Sequence, residues 1–438
     1  MKTRVLAILL AAAMLLPLAA YVAHADPPGA EKMDFDGALF HTGSRTHTEL
    51  YFRDEETGDV FNDALIDRVR KTEEYLNIHW TYESADADTV MSTVMANDDT
   101  FQHYINHSIS NNEKLVAGGY LYRADDLPYI DMDAEWWNRE QMDALRLGKY
   151  HYLIVSDYTL DTPYAIFIDC DLIEEYNMED PYQLVYDGKW TLDKFAEMCE
   201  KAAHDANGSG TWDDSDVMGV STVDTSLWTG FMTGCGQTMT RFDQYGDMEL
   251  ALNTEKMQTI VEKMVGLVKT PGAVAKHWEA KERHWEDGNT LFFLNGLDML
   301  RRAGDYKFEM GIVPYPKYDE AQERYYSLNW NATACVPASI RNPALVGAAL
   351  EYASWETANQ VIPAYYDVTL GTRYAKDPAT RDMLSFILGN SVMDAGAIYF
   401  GMTGLLNQLY LIGYLCILHE STDLQSYLAA NRAYFMGD

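Results

Sequence analysis

Basic residues are scarce in this chain, with 33 Lys and Arg against 67 Asp and Glu and a formal net charge of −34. So acidic a surface repels nucleic acid and anionic lipid, which excludes a nucleic-acid partner and points to neutral or cationic ones. No basic stripe breaks the pattern. Cysteine is also sparse: Cys170, Cys199, Cys235, Cys335 and Cys416 are odd in number and far apart. A disulfide framework is denser and even, and zinc sites need closer spacing, so these read as mostly free, small apolar residues, with one pair left open. Beyond residue 25 no stretch reaches the roughly 18 to 20 uninterrupted apolar residues a membrane span needs. The closest, Leu405 to Leu418, holds Asn407 and Gln408 and reads as a buried helix. Catalytic signatures are missing too: there is no Gly-x-Ser-x-Gly elbow, no His-Glu-x-x-His and no phosphate loop.

What the chain does have is length and aromatic content. Its 438 residues exceed one ordinary core, so two domains, or two lobes sharing crossovers, are expected. Hydrophobic residues make up 47% and aromatics 13%, with 10 Trp and 30 Tyr, more than packing alone usually asks for. Such side chains often line sites for sugars or peptides, although each one singly is as well explained at the edge of a core. Residues 1–25 read as a signal peptide: Lys2 and Arg4 precede an apolar run from Val5 to Ala20, and Ala23-His24-Ala25 suits cleavage before Asp26. The mature protein is therefore expected outside the cytoplasm, beginning with a polar linker, 26–32.

Turn and periodicity signals then set an order of elements. Phe35 to Phe40 reads as a strand, Asn62 or Asp63 caps a helix to about Tyr75, and Ile78 to Tyr82 is a second strand. A helix from Asp88 to Asn97 and a strand from Phe101 to Asn106 continue the series, so the class is α/β with a parallel sheet. His103 and His107 stand four apart, but on a strand that spacing makes no compact metal site. Two stretches look like crossings between lobes: Tyr152 to Ile168, and Tyr325 to Cys335 after Pro314 and Pro316. Repeated crossings make a hinge, and the cleft there is the default ligand site.

Thr191 precedes an apolar set at helical spacing (Phe195, Met198, Cys199, Ala202), and this capped helix runs into an oxygen-rich loop. Counting from Asp205, the ligand positions of a calcium loop fall on Asp205, Asn207, Ser209, Thr211 through its carbonyl, Asp213 and Asp216, with Gly210 at the sharp turn. Serine stands at the fifth position and the shorter aspartate at the twelfth. Structural Ca2+ and an ion-free polar turn both satisfy this pattern.

Five further stretches carry a family resemblance: Thr57-Gly58-Asp59-Val60-Phe61-Asn62-Asp63-Ala64, Asp133-Ala134-Glu135-Trp136-Trp137-Asn138, Asp187-Gly188-Lys189-Trp190-Thr191, Gly311-Ile312-Val313-Pro314-Tyr315-Pro316-Lys317 and Ala364-Tyr365-Tyr366-Asp367. With them the chain resembles, along nearly its whole mature length, extracellular solute-binding proteins of the large sugar-type family that feed ABC importers, members from gut Clostridia above all. The resemblance implies a two-lobed periplasmic-binding-protein-like fold of type II, each lobe a sheet flanked by helices and joined by a hinge. It implies capture of a carbohydrate, an oligosaccharide by preference, for ABC permease subunits, by a monomer that is peripheral to the membrane and not an enzyme. Many relatives carry a calcium loop after the same Trp-Thr helix, with Asp where Ser209 stands here. Gram-positive members carry a lipobox cysteine; this chain reads Leu18-Ala19-Ala20-Tyr21, so secretion without a lipid anchor, or retention by the permease, is expected. Lobe 1 is drawn over 33–159 and 286–328, lobe 2 over 160–285 and 329–438.

Sugars are held by aromatic faces and by side chains that hydrogen-bond hydroxyls. The candidates are Trp228, Trp330 with Asn329 and Asn331 at the second crossing, Tyr158 at the first, His107 and Ser108 after the third strand, and Asp298. Adjacent strand residues point to opposite faces, so at most one of Trp136 and Trp137 would meet a ligand if the segment is extended. A secreted glycoside hydrolase, needing an acid and a nucleophile in a cleft, is the alternative, and a surface adhesin without a transport partner the third.

Overall fold

The computed structural model describes residues 33–45, 50–108, 110–160, 162–222, 225–243, 247–275, 281–329, 332–374, 378–399 and 420–430. Residues 1–32, Trp330, Asn331 and the stretch from Leu405 to Leu418 lie outside them, and with them the signal-peptide, linker and buried-helix expectations.

Strand β1 (Ala38–Ser44) opens the first sheet. Helix α1 (Val60–Leu76) starts where the Asp59 carboxylate accepts the Asn62 N–H at 3.1 Å, and stops at Asn77, whose φ of 49° leaves the helical region. Strand β2 (Ile78–Ser84) returns parallel to β1, Ala38 opposite Ile78. Helix α2 (Ala87–Met95), capped by Asp86, leads to β3 (His103–His107), parallel to β1 on its other side. Short helices α3 (Asn112–Ala117) and α4 (Arg139–Ala144) follow.

The chain then crosses to a second sheet. It comprises β4 (Tyr164–Asp169), β5 (Met218–Thr222), β8 (Thr290–Gly296) and β9 (Met310–Val313), in the order β5-β8-β4-β9, after a small hairpin of β6 (Thr240–Phe242) and β7 (Met248–Leu250). Between them run α5 (Leu192–Ala202), capped by Thr191 as the sequence predicts, α6 (Thr229–Gly234) and α7 (Glu255–Lys269). Trp190, Phe195, Phe231 and Phe292 fill the space between this sheet and its helices, with ring centroids 5.0 to 6.0 Å apart.

Strand β10 (Ser327–Leu328) carries the chain back, and β11 (Ala332–Cys335) adds antiparallel to β3, completing the order β11-β3-β1-β2. Helix α8 (Pro343–Glu356) runs on through π-helical turns at Thr357–Val361 and Pro363–Tyr374. After α9 (Pro378–Leu388), β12 (Ser391–Val392) pairs parallel with β10 in a two-stranded ribbon.

The α/β, two-lobed architecture stands, with several adjustments. The first strand begins three residues and the third two residues later than the turn signals suggest. Tyr152 to Val155 is no strand; Ile154 makes only an isolated bridge to Ala334. Three strands fall outside the lobes expected for them, since β8 and β9 of 286–328 pair in the second sheet and β11, after residue 329, joins the first, whereas α9 still packs against the second lobe, where Thr380 meets Tyr182 at 2.7 Å. Strand partners far apart in sequence decide this, and hydropathy carries no record of them. Of the cysteines, Cys170, Cys199, Cys235 and Cys335 are free thiols. No helix among the described residues is long and apolar enough to cross a membrane.

Candidate functional site

Parallel pairing puts the carboxyl ends of β1 and β3 on one edge of the first sheet, where β11 begins with Ala332 opposite His107. In the second sheet β5 and β8 end together, and Tyr164, the first residue of β4, lies opposite Gly296, the last of β8. Both long crossings join these same edges: one enters the second sheet at Tyr164, the other leaves it after Val313 and enters the first at Ala332. Both crossings therefore connect the carboxyl edge of one sheet with that of the other, the kind of edge beside which open α/β sheets hold ligands.

The sequence candidates divide between these edges and the cores. His107 and Ser108 stand at the first sheet's edge, where their carbonyls accept the Asn112 side-chain amide. Asp298 stands at the other, just beyond β8, and is paired with Arg301 at 3.3 Å. Trp228 is fully buried in the second lobe, its ring 5.3 Å from Phe231 and its indole N–H without an acceptor, so it offers no stacking face here. Tyr158 is buried among Tyr51, Trp80 and His103. Asn329 is buried in the ribbon: its backbone N–H donates to the Val392 carbonyl at 2.8 Å and its amide to Gln141 Oε1 at 3.4 Å. Trp136 and Trp137 both turn their indole N–H groups to one carboxylate, Glu351, at 3.1 and 2.8 Å. They are a structural pair.

Beside the ribbon, between α4 and α6, lies a cavity of about 210 Å³. Its walls are mainly apolar, from Ala144, Val392 and Met393, with Tyr326 at one side. The carboxylates at its border are engaged. Glu140 bridges Arg324 at 3.0 Å, and Asp394 accepts the backbone N–H of Met239 and Gly396 at 2.6 and 2.9 Å, although burial pushes its acid up. No unengaged acid pair of the glycosidase kind faces this space.

Sequence reasoning missed Glu113, at the start of α3 two residues beyond Asn111. It is buried, one carboxyl oxygen has no partner, and burial raises the pKa of its carboxyl. The run Ser110-Asn111-Asn112 was the available signal, because Asn112 ties the end of β3 to this helix through Asn106 at 3.0 Å.

In the loop after α5, Asp205 accepts the backbone N–H of Ser209 and Gly210, and Asp216, fully buried, accepts those of Ala206 and Asp213. Asn207 bonds Asp213 and Ser215, and Ser209 donates to the Thr211 carbonyl at 2.9 Å. All six oxygen groups thus belong to one cross-linked loop. Among the described residues, however, no three side chains of His, Cys, Asp or Glu converge as a metal set.

No family model matches the chain, and no curated protein matches it. Solved structures do. An ABC substrate-binding protein from Listeria monocytogenes, in complex with cycloalternan, has a TM-score of 0.60 at 14% identity over 91% of this chain and 98% of that one. The GacH receptor of Streptomyces glaucescens, solved unliganded and with acarbose, has 0.58 at 14% over 91% and 98%. A cyclo/maltodextrin-binding protein complexed with maltotetraose has 0.62 at 12% over 93% and 98%. At these identities the likeness establishes the fold, a two-lobed binding-protein architecture along nearly the full length of both partners.

Proposed function

We propose that this protein is an extracytoplasmic solute-binding protein that captures a carbohydrate, an oligosaccharide in the first instance, by lobe closure and delivers it to the permease of an ABC importer. One observation carries the reading: the fold matches, over about nine-tenths of the chain, that of proteins solved with cycloalternan, acarbose and maltotetraose. The two crossings that connect the carboxyl edges of the sheets support it, since they join the lobes where such folds hold their ligands. Export by residues 1–25, a monomeric state and the tie to gut Clostridia are parts of the proposal that rest on the sequence motifs. Calcium is a further part; Asp205, Asn207, Ser209, Thr211, Asp213 and Asp216 would hold it as a structural ion.

The deciding experiment is thermal unfolding of the purified protein against linear and cyclic gluco-oligosaccharides, other sugars and peptides, with the sugar assayed afterwards. Binding to the folded state alone raises stability by about 2.7 kcal/mol at a hundredfold excess over the dissociation constant. A shift with one sugar class that leaves the sugar intact supports the proposal. Consumption of the sugar, or a response to peptides only, would overturn it.

A further inference from the structure

Arg68, on α1, points into the first lobe and is fully buried. Its Nη2 donates to the Tyr51 carbonyl and its Nη1 to Thr357 Oγ1 at 3.3 Å, while Nε–H has no acceptor. No carboxylate is among these partners. A guanidinium keeps its charge at any pH a protein meets, and a lone buried charge is strongly disfavoured without a counter-charge. The faces of Tyr158, 4.2 Å from Cζ, and Phe52, 5.9 Å away, offset part of this. A ring face, however, leaves the in-plane Nε–H unsatisfied.

Two more donors end at the same tyrosine. His103 meets the Tyr158 ring edge-on, centroids 5.4 Å apart and planes at 70°. Its tautomer follows from its neighbours. The Trp80 indole, which can only donate, gives its hydrogen to Thr42 Oγ1 at 3.0 Å, and the Thr42 hydroxyl hydrogen then has His103 Nδ1 as its acceptor at 3.3 Å. The opposite tautomer would leave both the Thr42 hydrogen and Nε2 without partners, so His103 is assigned its hydrogen on Nε2, and that atom has no partner. Burial and the nearby Arg68 keep the ring neutral, with its pKa pushed down to about 3. The Tyr158 hydroxyl is likewise buried and without a partner. Orphan donors of this kind cost about 1 to 3 kcal/mol each.

We propose that Arg68, His103 and Tyr158 enclose an internal binding site for one small monovalent anion of the halide type, with Arg68 as its counter-charge and the imidazole N–H and phenol O–H as donors. A water molecule satisfies donors but leaves the guanidinium uncompensated; a cation meets three donors and a positive charge. Only an anion answers both needs. Tyr158 belongs to the turn at Asp157–Thr159, directly before the crossing into the second lobe, so an occupied site fixes the first-lobe end of that crossing. This inference is independent of which solute the protein captures.

The test uses the whole protein at constant ionic strength in sodium chloride or sodium gluconate, whose anion is too large for a buried site. The expected result is a higher unfolding midpoint in chloride that rises with its concentration, and an anomalous-scattering peak beside Tyr158 in crystals soaked in bromide. Tyr158→Phe keeps the ring over Arg68 and removes one donor, so the chloride concentration giving half the effect should rise roughly tenfold. Equal midpoints in both salts, or density for water alone in bromide crystals, would overturn the proposal.

Discussion

Glu351 shows what a single side chain can demand of its surroundings. It sits on α8, buried, and accepts hydrogen from both Trp136 and Trp137 and from the backbone N–H of Asp131 at 3.2 Å. Burial pushes its pKa up to about 7 against these three donors. A raised carboxyl pKa means that the folded state holds the proton more tightly than the unfolded one. Its stabilising contribution is therefore complete below an unfolded value of about 4.3 and lost as the pH rises through about 7. Glu351→Gln should flatten that part of the stability profile, read as unfolding midpoints from pH 4 to 8. Glu351→Ala should lower stability by about 3 kcal/mol at pH 5, because two indoles lose their acceptor. At this scale the sequence was least informative. Trp228 and Tyr158 have the residue type of sugar platforms, yet both are buried, and nothing in the type alone separates a ring that faces a ligand from one that faces a core.

Elements were more legible, because their signals are local. Thr191 caps its helix as the sequence predicts, whereas the first helix is capped by Asp59 rather than by Asn62 or Asp63 and the second by Asp86, two residues before Asp88; each of the three accepts a backbone N–H of its own first turn. Thr191→Ala should accordingly cost about 1 kcal/mol in denaturant unfolding, with an unchanged slope. The π-helical turns after α8 were invisible, since a helix one residue wider leaves no mark on an apolar pattern. The loop from Asp205 to Asp216 belongs between these cases: the spacing fits a calcium loop and an ion-free polar turn alike, and hydrogen bonds join its oxygen groups within one loop. If the loop holds calcium as proposed, calcium should raise the midpoint, chelator should reverse that rise, and Asp213→Ala should abolish the response to both.

At the scale of the whole molecule, length foretold two lobes and the motifs foretold how they are built, but strands β8, β9 and β11 pair in the sheets opposite to those expected. The two sheets exchange chain at Tyr164 and Ala332, and the ribbon of β10 and β12 spans the return path. Lobes joined by such crossings move as bodies about a hinge. Small-angle scattering should record a smaller radius of gyration with a bound oligosaccharide than without; an unchanged radius would show that binding occurs without closure.

The same topology also bears on how the chain reaches its native state. All four strands of the second sheet fall between Tyr164 and Val313, so that sheet can form from one continuous stretch. The first sheet cannot, because β3 must wait for β11, which follows only after the second lobe's strands have been made. Loop closure over such a distance is slow, and until it happens the β3 edge stands unpaired. The later lobe in the sequence is thus the one equipped to fold early. The first lobe's missing edge, rather than either core, sets the interval during which the chain is open to aggregation or to a chaperone.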